Sequence, residues 1–251
     1  MAEQLNLFDM TRQEYQIDKP IRLIELFAGY GSQAMALRNL GADFEHYKVV
    51  EFDKYAIASY NAVHNTDFPT MDICEVGGVD LEITDTDQYE YIMTYSFPCT
   101  DISVAGQMQG FEKGSGTRSS LLWEVERILR ELQELNSLPQ VLLMENVTAI
   151  HSQENKPHFQ KWLDFLETLG YSSFVQDLNA SDYGIAQNRD RTFVVSILGE
   201  WNYHFPEPIE LTTCIEDYFE DLSDEQALQL VVKSEKALKL LKELDDEDKL
   251  E

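Results

Sequence analysis

The Cys99 thiol follows a short apolar run and opens a glycine-containing loop, a placement that turns sulfur toward a crevice and away from a core. Cysteine attacks as thiolate, and it needs an electropositive, partly exposed setting to ionise near neutral pH. Pro98 restricts the backbone just before it and so limits where the sulfur can point. A second apolar run ends in Met144-Glu145-Asn146-Val147. A partly desolvated carboxyl there could pass a proton to a ring nitrogen, and Asn146 could fix a loop through backbone hydrogen bonds. The plainer reading is an ordinary polar pair at a strand end. Gln187-Asn188-Arg189-Asp190-Arg191 precedes a third apolar run. Alternate residues of an extended segment share a side, so Arg189 and Arg191 point together. Two guanidinium groups suit a base carbonyl oxygen or a phosphate and help keep a nearby thiolate ionised. In so acidic a chain they equally suit internal salt bridges. Cys74 and Cys214 are expected to be buried structural thiols.

A second constellation lies upstream. Phe27-Ala28-Gly29-Tyr30-Gly31 follows a β-rich run, Ile21–Phe27, and precedes a helical pattern from Ser32 to Leu40. In an open α/β sheet the ligand crevice lies beyond the carboxyl ends of the strands, where this turn falls. Gly29 and Gly31 let the backbone approach a ligand, and the helix start favours an anionic group. Glu51 ends the next strand, about twenty residues on, where an acid can hold ribose hydroxyls; Asp53 competes for that role. Asp72-Ile73 could accept from an adenine amino group and pack on its ring.

The elements that must position these groups alternate. Strands are expected at Ile21–Phe27, Tyr47–Glu51, Tyr91–Phe97, Val141–Met144 and Thr192–Leu198, and helices at Ser32–Leu40, Tyr55–His64, Leu121–Leu135 and 158–169. That alternation predicts an α/β fold with a mostly parallel sheet flanked by helices. Residues 1–19 read as a polar leader, 20–205 as one catalytic and cofactor-binding domain, and 206–251 as an acidic helical segment. Within the last, Ser223 and Gln226 suggest a capping box opening a helix that carries Leu230, Val231, Leu238 and Leu241 on one face. That helix either docks on its own domain or receives another chain.

Composition narrows the classes. The 251 residues suffice for one well-filled core. No apolar run is long enough to span a bilayer, and the start does not read as a signal peptide. Three cysteines without a C-x-x-C pair give neither a disulfide framework nor a zinc site, so no metal and a reducing cytoplasm are expected. The awkward quantity is a formal charge of −27, from 46 acidic against 19 basic residues. Nucleic-acid affinity comes largely from neutralising phosphates, so either the chain binds none, a small basic patch suffices, or a partner supplies the grip.

Taken in order, the glycine turn Phe27–Gly31, Pro98-Cys99, Glu145-Asn146-Val147 and Gln187-x-Arg189-x-Arg191 resemble the cytosine-5 DNA methyltransferase family, and Arg118-Ser119-Ser120-Leu121 resembles a further block of it. The resemblance implies an S-adenosylmethionine-dependent, Rossmann-like methyltransferase fold with a terminal reversed strand. It implies a cytosine flipped from DNA, with Cys99 adding to carbon 6, Glu145 at ring nitrogen 3, Arg191 on the carbonyl oxygen, and Arg189 supporting Glu145 or the backbone. It also implies Phe27 against the adenine, Glu51 on the ribose, Asp72 at the exocyclic amine, Pro98 beside the cofactor, and 103–116 as a closing loop. Ser32, Thr100 and Tyr95-Ser96 depart from the family pattern without removing a chemical group. Leu211 to Leu244 resembles the approach to the family's target-recognition region. The expectation is therefore a catalytic subunit completed by a separate, basic recognition chain, in a bacterial or phage-infected cell and in a restriction–modification or phage self-protection role. A truncated product, a tRNA cytosine-5 methyltransferase and a non-catalytic relative are the alternatives.

Overall fold

The computed structural model describes residues 12–98 and 118–246. Apolar runs too short for helices become the strands of one sheet. These are β1 (Ile21–Leu26), β2 (Phe44–Val50), β3 (Glu90–Tyr95), β4 (Val141–Val147), β5 (Tyr171–Asn179) and β6 (Asp190–Leu198). Their order is β2-β1-β3-β4-β6-β5. The first four are mutually parallel, while β6 runs antiparallel to both β4 and β5. The reversed strand therefore lies between two others, not at the edge. Parallel neighbours need crossovers, here provided by α1 (Ser32–Asn39), α2 (Lys54–His64), α3 (Leu122–Glu134) and α4 (Lys156–Thr168).

The central strand β3 is buried along its whole length, which is why it reads as a continuous apolar run and not as an alternation. On one face of the sheet, Leu122, Val125, Ile128, Leu129 and Leu132 of α3 and Phe159, Trp162, Phe165 and Leu166 of α4 join Met93, Tyr95 and Leu142. Such i, i+3, i+4, i+7 spacing is what a helix needs to bury one stripe. On the other face Ala34 of α1 packs with Leu23, Ile92 and Val195. Tyr15, in the expected leader, stacks edge-on against Trp201 at 5.0 Å and its hydroxyl bonds to Glu90.

Three expectations need correction. Strand β5 escapes the sequence reading because Ser172, Ser173, Gln176 and Asp177 interrupt it and its middle is exposed, as an edge permits. The acidic segment forms two helices, α5 (Asp224–Leu230) and α6 (Glu235–Asp246), so the four apolar residues do not share one helical face. The reciprocal Ser223–Gln226 capping box does open α5, with bonds of 3.0 and 3.3 Å. Adjacent β-branched Val231-Val232 then disfavour continuation, Val231 turns extended at φ −59° and ψ 129°, and Ser234 accepts from Ala237 to start α6. Among the described residues neither helix buries a side chain against the domain, for only Ala237 and Leu244 reach half-burial. Cys74 and Cys214 are exposed, not buried. Each sits in a polar turn whose aspartate accepts its amide, Asp72 at 2.9 Å for Cys74 and Asp217 at 2.9 Å for Cys214.

Candidate active site

The chain leaves β1 through a turn in which Phe27, Gly29 and Gly31 all take positive φ, of 58°, 58° and 82°. Glycine accepts this conformation readily; Phe27 does so at a cost of about 1–2 kcal/mol. The Gly29 amide donates to Glu51 Oε2 at 3.0 Å, and the Asp53 amide to Glu51 Oε1 at 2.8 Å. Two amides thus fix the Glu51 carboxylate at the end of β2. Asp53 is committed elsewhere, capping α2 through Tyr55 N at 2.7 Å and Ala56 N at 3.1 Å. The two acids thus have different hydrogen-bond partners: Glu51 holds the turn and Asp53 caps the helix.

A cavity of about 350 Å³ opens beside the turn, lined by Phe27, Glu51, Asp72, Ile73 and Pro98 among others. That volume is within the ordinary range for a small-molecule site. Five of the seven residues expected at a cofactor are therefore on one wall system. Gly29 and Gly31 support it from behind, since Gly29 anchors Glu51 and Gly31 packs against α2. Val50, Phe52, Met71, Cys74 and Ser96 lie on the same walls without having been expected at a cofactor. Phe52 and Met71 adjoin Glu51 and Asp72, the one signal that marked them. Leu121, also on the wall, belongs to the Arg118–Leu121 block already noted.

A second cluster forms where β4 meets β6. Register pairs Glu145 with Phe193 and Val147 with Arg191, so the arginines come from across the sheet. Arg191 Nε lies 3.1 Å and Arg189 Nη2 3.7 Å from Glu145 Oε1. The salt-bridge reading and the shared-side reading are both correct, because the shared partner is Glu145. With the Arg189 side chain 47% exposed and that of Glu145 23%, the pair adds under about 1 kcal/mol to stability. Asn146, 2% exposed, donates to the Phe97 carbonyl at 3.1 Å and accepts from the Val147 amide at 2.8 Å. The end of β4 is thereby tied to the Phe97-Pro98 segment, one residue before Cys99. Cys99 itself and the loop 103–116 lie outside the described residues.

The sequence model of the C-5 cytosine-specific DNA methylase family matches residues 21–249. The chain belongs to this family. Among the family's curated members, the type II methyltransferase M2.ScrFI of Lactococcus lactis subsp. cremoris is 31% identical, over 80% of this chain and 68% of its own length. M.HhaI of Haemophilus parahaemolyticus is 34% identical, over 84% and 60%. The orphan methyltransferase M.SssI of Spiroplasma monobiae is 33% identical, over 73% and 61%. The chain thus spans roughly three fifths to two thirds of these relatives. Solved structures share the methyltransferase fold. An Entamoeba histolytica methyltransferase aligns at a TM-score of 0.66 with 17% identity, over 83% of this chain and 62% of that one. The S. pombe Dnmt2 methyltransferase aligns at 0.57 with 20% identity, over 83% and 57%. Among the described residues no group of three or more His, Cys, Asp or Glu is placed to hold a metal ion, and no helix is long and apolar enough to cross a membrane.

Proposed function

We propose that this methylase-family chain transfers a methyl group to carbon 5 of a cytosine flipped out of DNA, with S-adenosylmethionine in the 350 Å³ cavity. The cavity fits that cofactor by its donor set: an aromatic ring (Phe27), an acid fixed by two amides (Glu51), and the Asp72-Ile73 pair for an adenine. When bound, the cofactor would supply an electrophilic methyl group, its sulfonium leaving as the thioether of S-adenosylhomocysteine. Phe27 and Ile73 would hold its base, Glu51 its ribose and Asp72 its exocyclic amine, with Pro98 on the same wall.

The protein's own steps follow from its groups. The Cys99 thiolate forms a bond to carbon 6 of the cytosine. The displaced electron pair is drawn toward ring nitrogen 3, to which Glu145 gives a proton or a hydrogen bond, and carbon 5 becomes nucleophilic. After methylation, carbon 5 loses its proton to a base or water, the electrons expel Cys99, and the ring is restored. Arg191 holds the carbonyl oxygen. Arg189 keeps the Glu145 carboxyl aimed. The observation that carries the reading is the convergence of Glu145, Arg189 and Arg191 at a strand end that Asn146 ties to the segment leading into Cys99.

Labelled-methyl transfer tests it on DNA and on tRNA separately, and 5-fluorocytosine DNA tests the covalent step. Cys99→Ser is expected to abolish both transfer and the trapped adduct. An adduct that persists in this variant reassigns the nucleophile, and transfer to tRNA alone reassigns the substrate. We also propose that the phosphate grip comes from a basic surface of a separate recognition subunit, because a chain of net charge −27 cannot supply it broadly. Site-specific methylation by this chain alone, at rates unchanged by any added subunit, would rule that out.

A further inference from the structure

Behind the glycine turn lies a chain of ring and carboxyl groups that the proposed chemistry does not use. Glu25, in the middle of β1, is only 1% exposed. Its carboxyl accepts from the Tyr60 hydroxyl of α2 at 2.5 Å and from the Ala34 amide, in the first turn of α1, at 3.4 Å. With Glu25 ionised, the Tyr60 proton goes to that carboxyl and the same hydroxyl oxygen accepts from His46 Nδ1 on β2 at 2.7 Å. One turn further along α2, His64 Nε2 lies 3.0 Å from the Tyr30 carbonyl, inside the glycine turn. The His64 Nδ1 atom is buried and has no hydrogen-bond partner among the described residues. A carbonyl only accepts, so the His64 proton sits on Nε2 and is donated to Tyr30. The three rings pack on one another, with centroids 4.5 Å apart for Tyr60 and His64 and 4.8 Å for His46 and His64.

The turn leans on this stack. A Cβ built at Gly31 would come within 2.4 Å of His64 Nε2 and 2.6 Å of Tyr60 Cε2. The rings therefore occupy the space a side chain would need, and they press directly on backbone at φ 82°. A turn with three positive-φ residues in five has one backbone hydrogen bond of its own, Gly31 N to the Ala28 carbonyl at 2.9 Å, so contacts from neighbouring elements help to set its shape. On the cavity side Glu51 does this through the Gly29 amide. On the other side only α2 reaches the Tyr30 carbonyl among the described residues.

We infer that Tyr60 and His64, braced by Glu25 and His46, are positioning residues that clamp the glycine turn in its cofactor-binding shape. The inference rests on the reading of the cavity as the S-adenosylmethionine site. None of its hydrogen bonds runs to Glu145, Arg189 or Arg191, so the clamp acts on cofactor affinity and leaves the chemical step nearly alone.

The test is equilibrium binding of S-adenosylmethionine to the full chain, with steady-state kinetics and thermal denaturation beside it. His64→Leu removes the donor while keeping an apolar side chain, and is expected to raise the cofactor Kd about tenfold. KM for the cofactor rises in step, and kcat at saturating cofactor falls less than threefold. His64→Gln, whose amide can donate at nearly the same place, restores Kd to within about threefold. Tyr60→Phe, which unpairs Glu25 and His46 without emptying the space, gives the same Kd loss and serves if His64→Leu does not fold. A lower Tm with Kd unchanged in His64→Leu and Tyr60→Phe would make the stack merely structural and overturn the clamp alone. Wild-type chain that takes up no cofactor would overturn the cavity assignment and the clamp with it.

Discussion

At the end of β4 the Glu145 carboxyl faces Arg191 at 3.1 Å and Arg189 at 3.7 Å, yet the Glu145 side chain keeps 23% of its exposure. Substrate can therefore reach it without dismantling a buried pair. If Glu145 supplies the proton or hydrogen bond at ring nitrogen 3, Glu145→Gln removes about 10²- to 10⁴-fold from kcat. Cofactor Kd stays as in the wild type, since Glu145 does not line the cavity. Rapid-quench methyl transfer checks the first and equilibrium binding the second; a variant within tenfold of wild-type kcat would take Glu145 out of the chemistry. At this scale much was legible. Glu51 and Pro98 follow strand ends in sequence and Asp72-Ile73 lies in the loop after α2, and all four line the cavity. Cys74 was misjudged, because its exposure depends on the turn made by Asp72 and not on its own chemistry. Ser96 was noted only as a departure from a pattern, and its place on the wall depends on strands far away in the chain.

Between elements, Asn146 is the fastener joining β4 to the segment that follows β3. Asn146→Ala leaves the Phe97 carbonyl and the Val147 amide without these partners in a buried place. That is expected to cost about 1–3 kcal/mol of stability, read from denaturant unfolding. The methyl-transfer rate should fall more than cofactor affinity does, because the segment so fastened leads into Cys99. A variant of wild-type stability would show that the bonds are replaced by water. Helices α1 to α4 were legible within a residue or two, since each carries a continuous apolar stripe that ends at a polar or glycine stop. Strand β5 was not, since an edge strand needs apolar residues on one face only and tolerates serines and an aspartate on the other. The break between α5 and α6 was likewise missed: two adjacent valines look apolar to a periodicity count but are stiff to the backbone.

Across the whole molecule, burial lifts two carboxyls into the physiological range. Glu25 is pushed up to about 7 by desolvation, against the opposing pull of its bonds from Tyr60 and Ala34, and Glu90 is pushed up to about 7 by burial. Both bind their proton more tightly folded than unfolded. The stabilisation they contribute is therefore complete below the ordinary glutamate value of about 4.3 and is lost as pH rises through about 7. Stability should fall by something on the order of 5 kcal/mol from about pH 5 to about pH 8, and replacing both residues by Gln should flatten that part of the curve. Chemical denaturation at a series of pH values decides it; an equally steep slope in the double variant would assign the dependence to the chain's many surface acids. The sequence by itself determined which groups could react and the α/β alternation that carries them, because reactive type and strand-end position are local properties of a few neighbouring residues. Only the tertiary structure decided that Arg189 and Arg191 face Glu145, that Asn146 reaches Phe97, and that His64 backs the Tyr30 carbonyl. Those meetings depend on which strand lies beside which and in what register, and an apolar period records that a face is buried without recording what buries it.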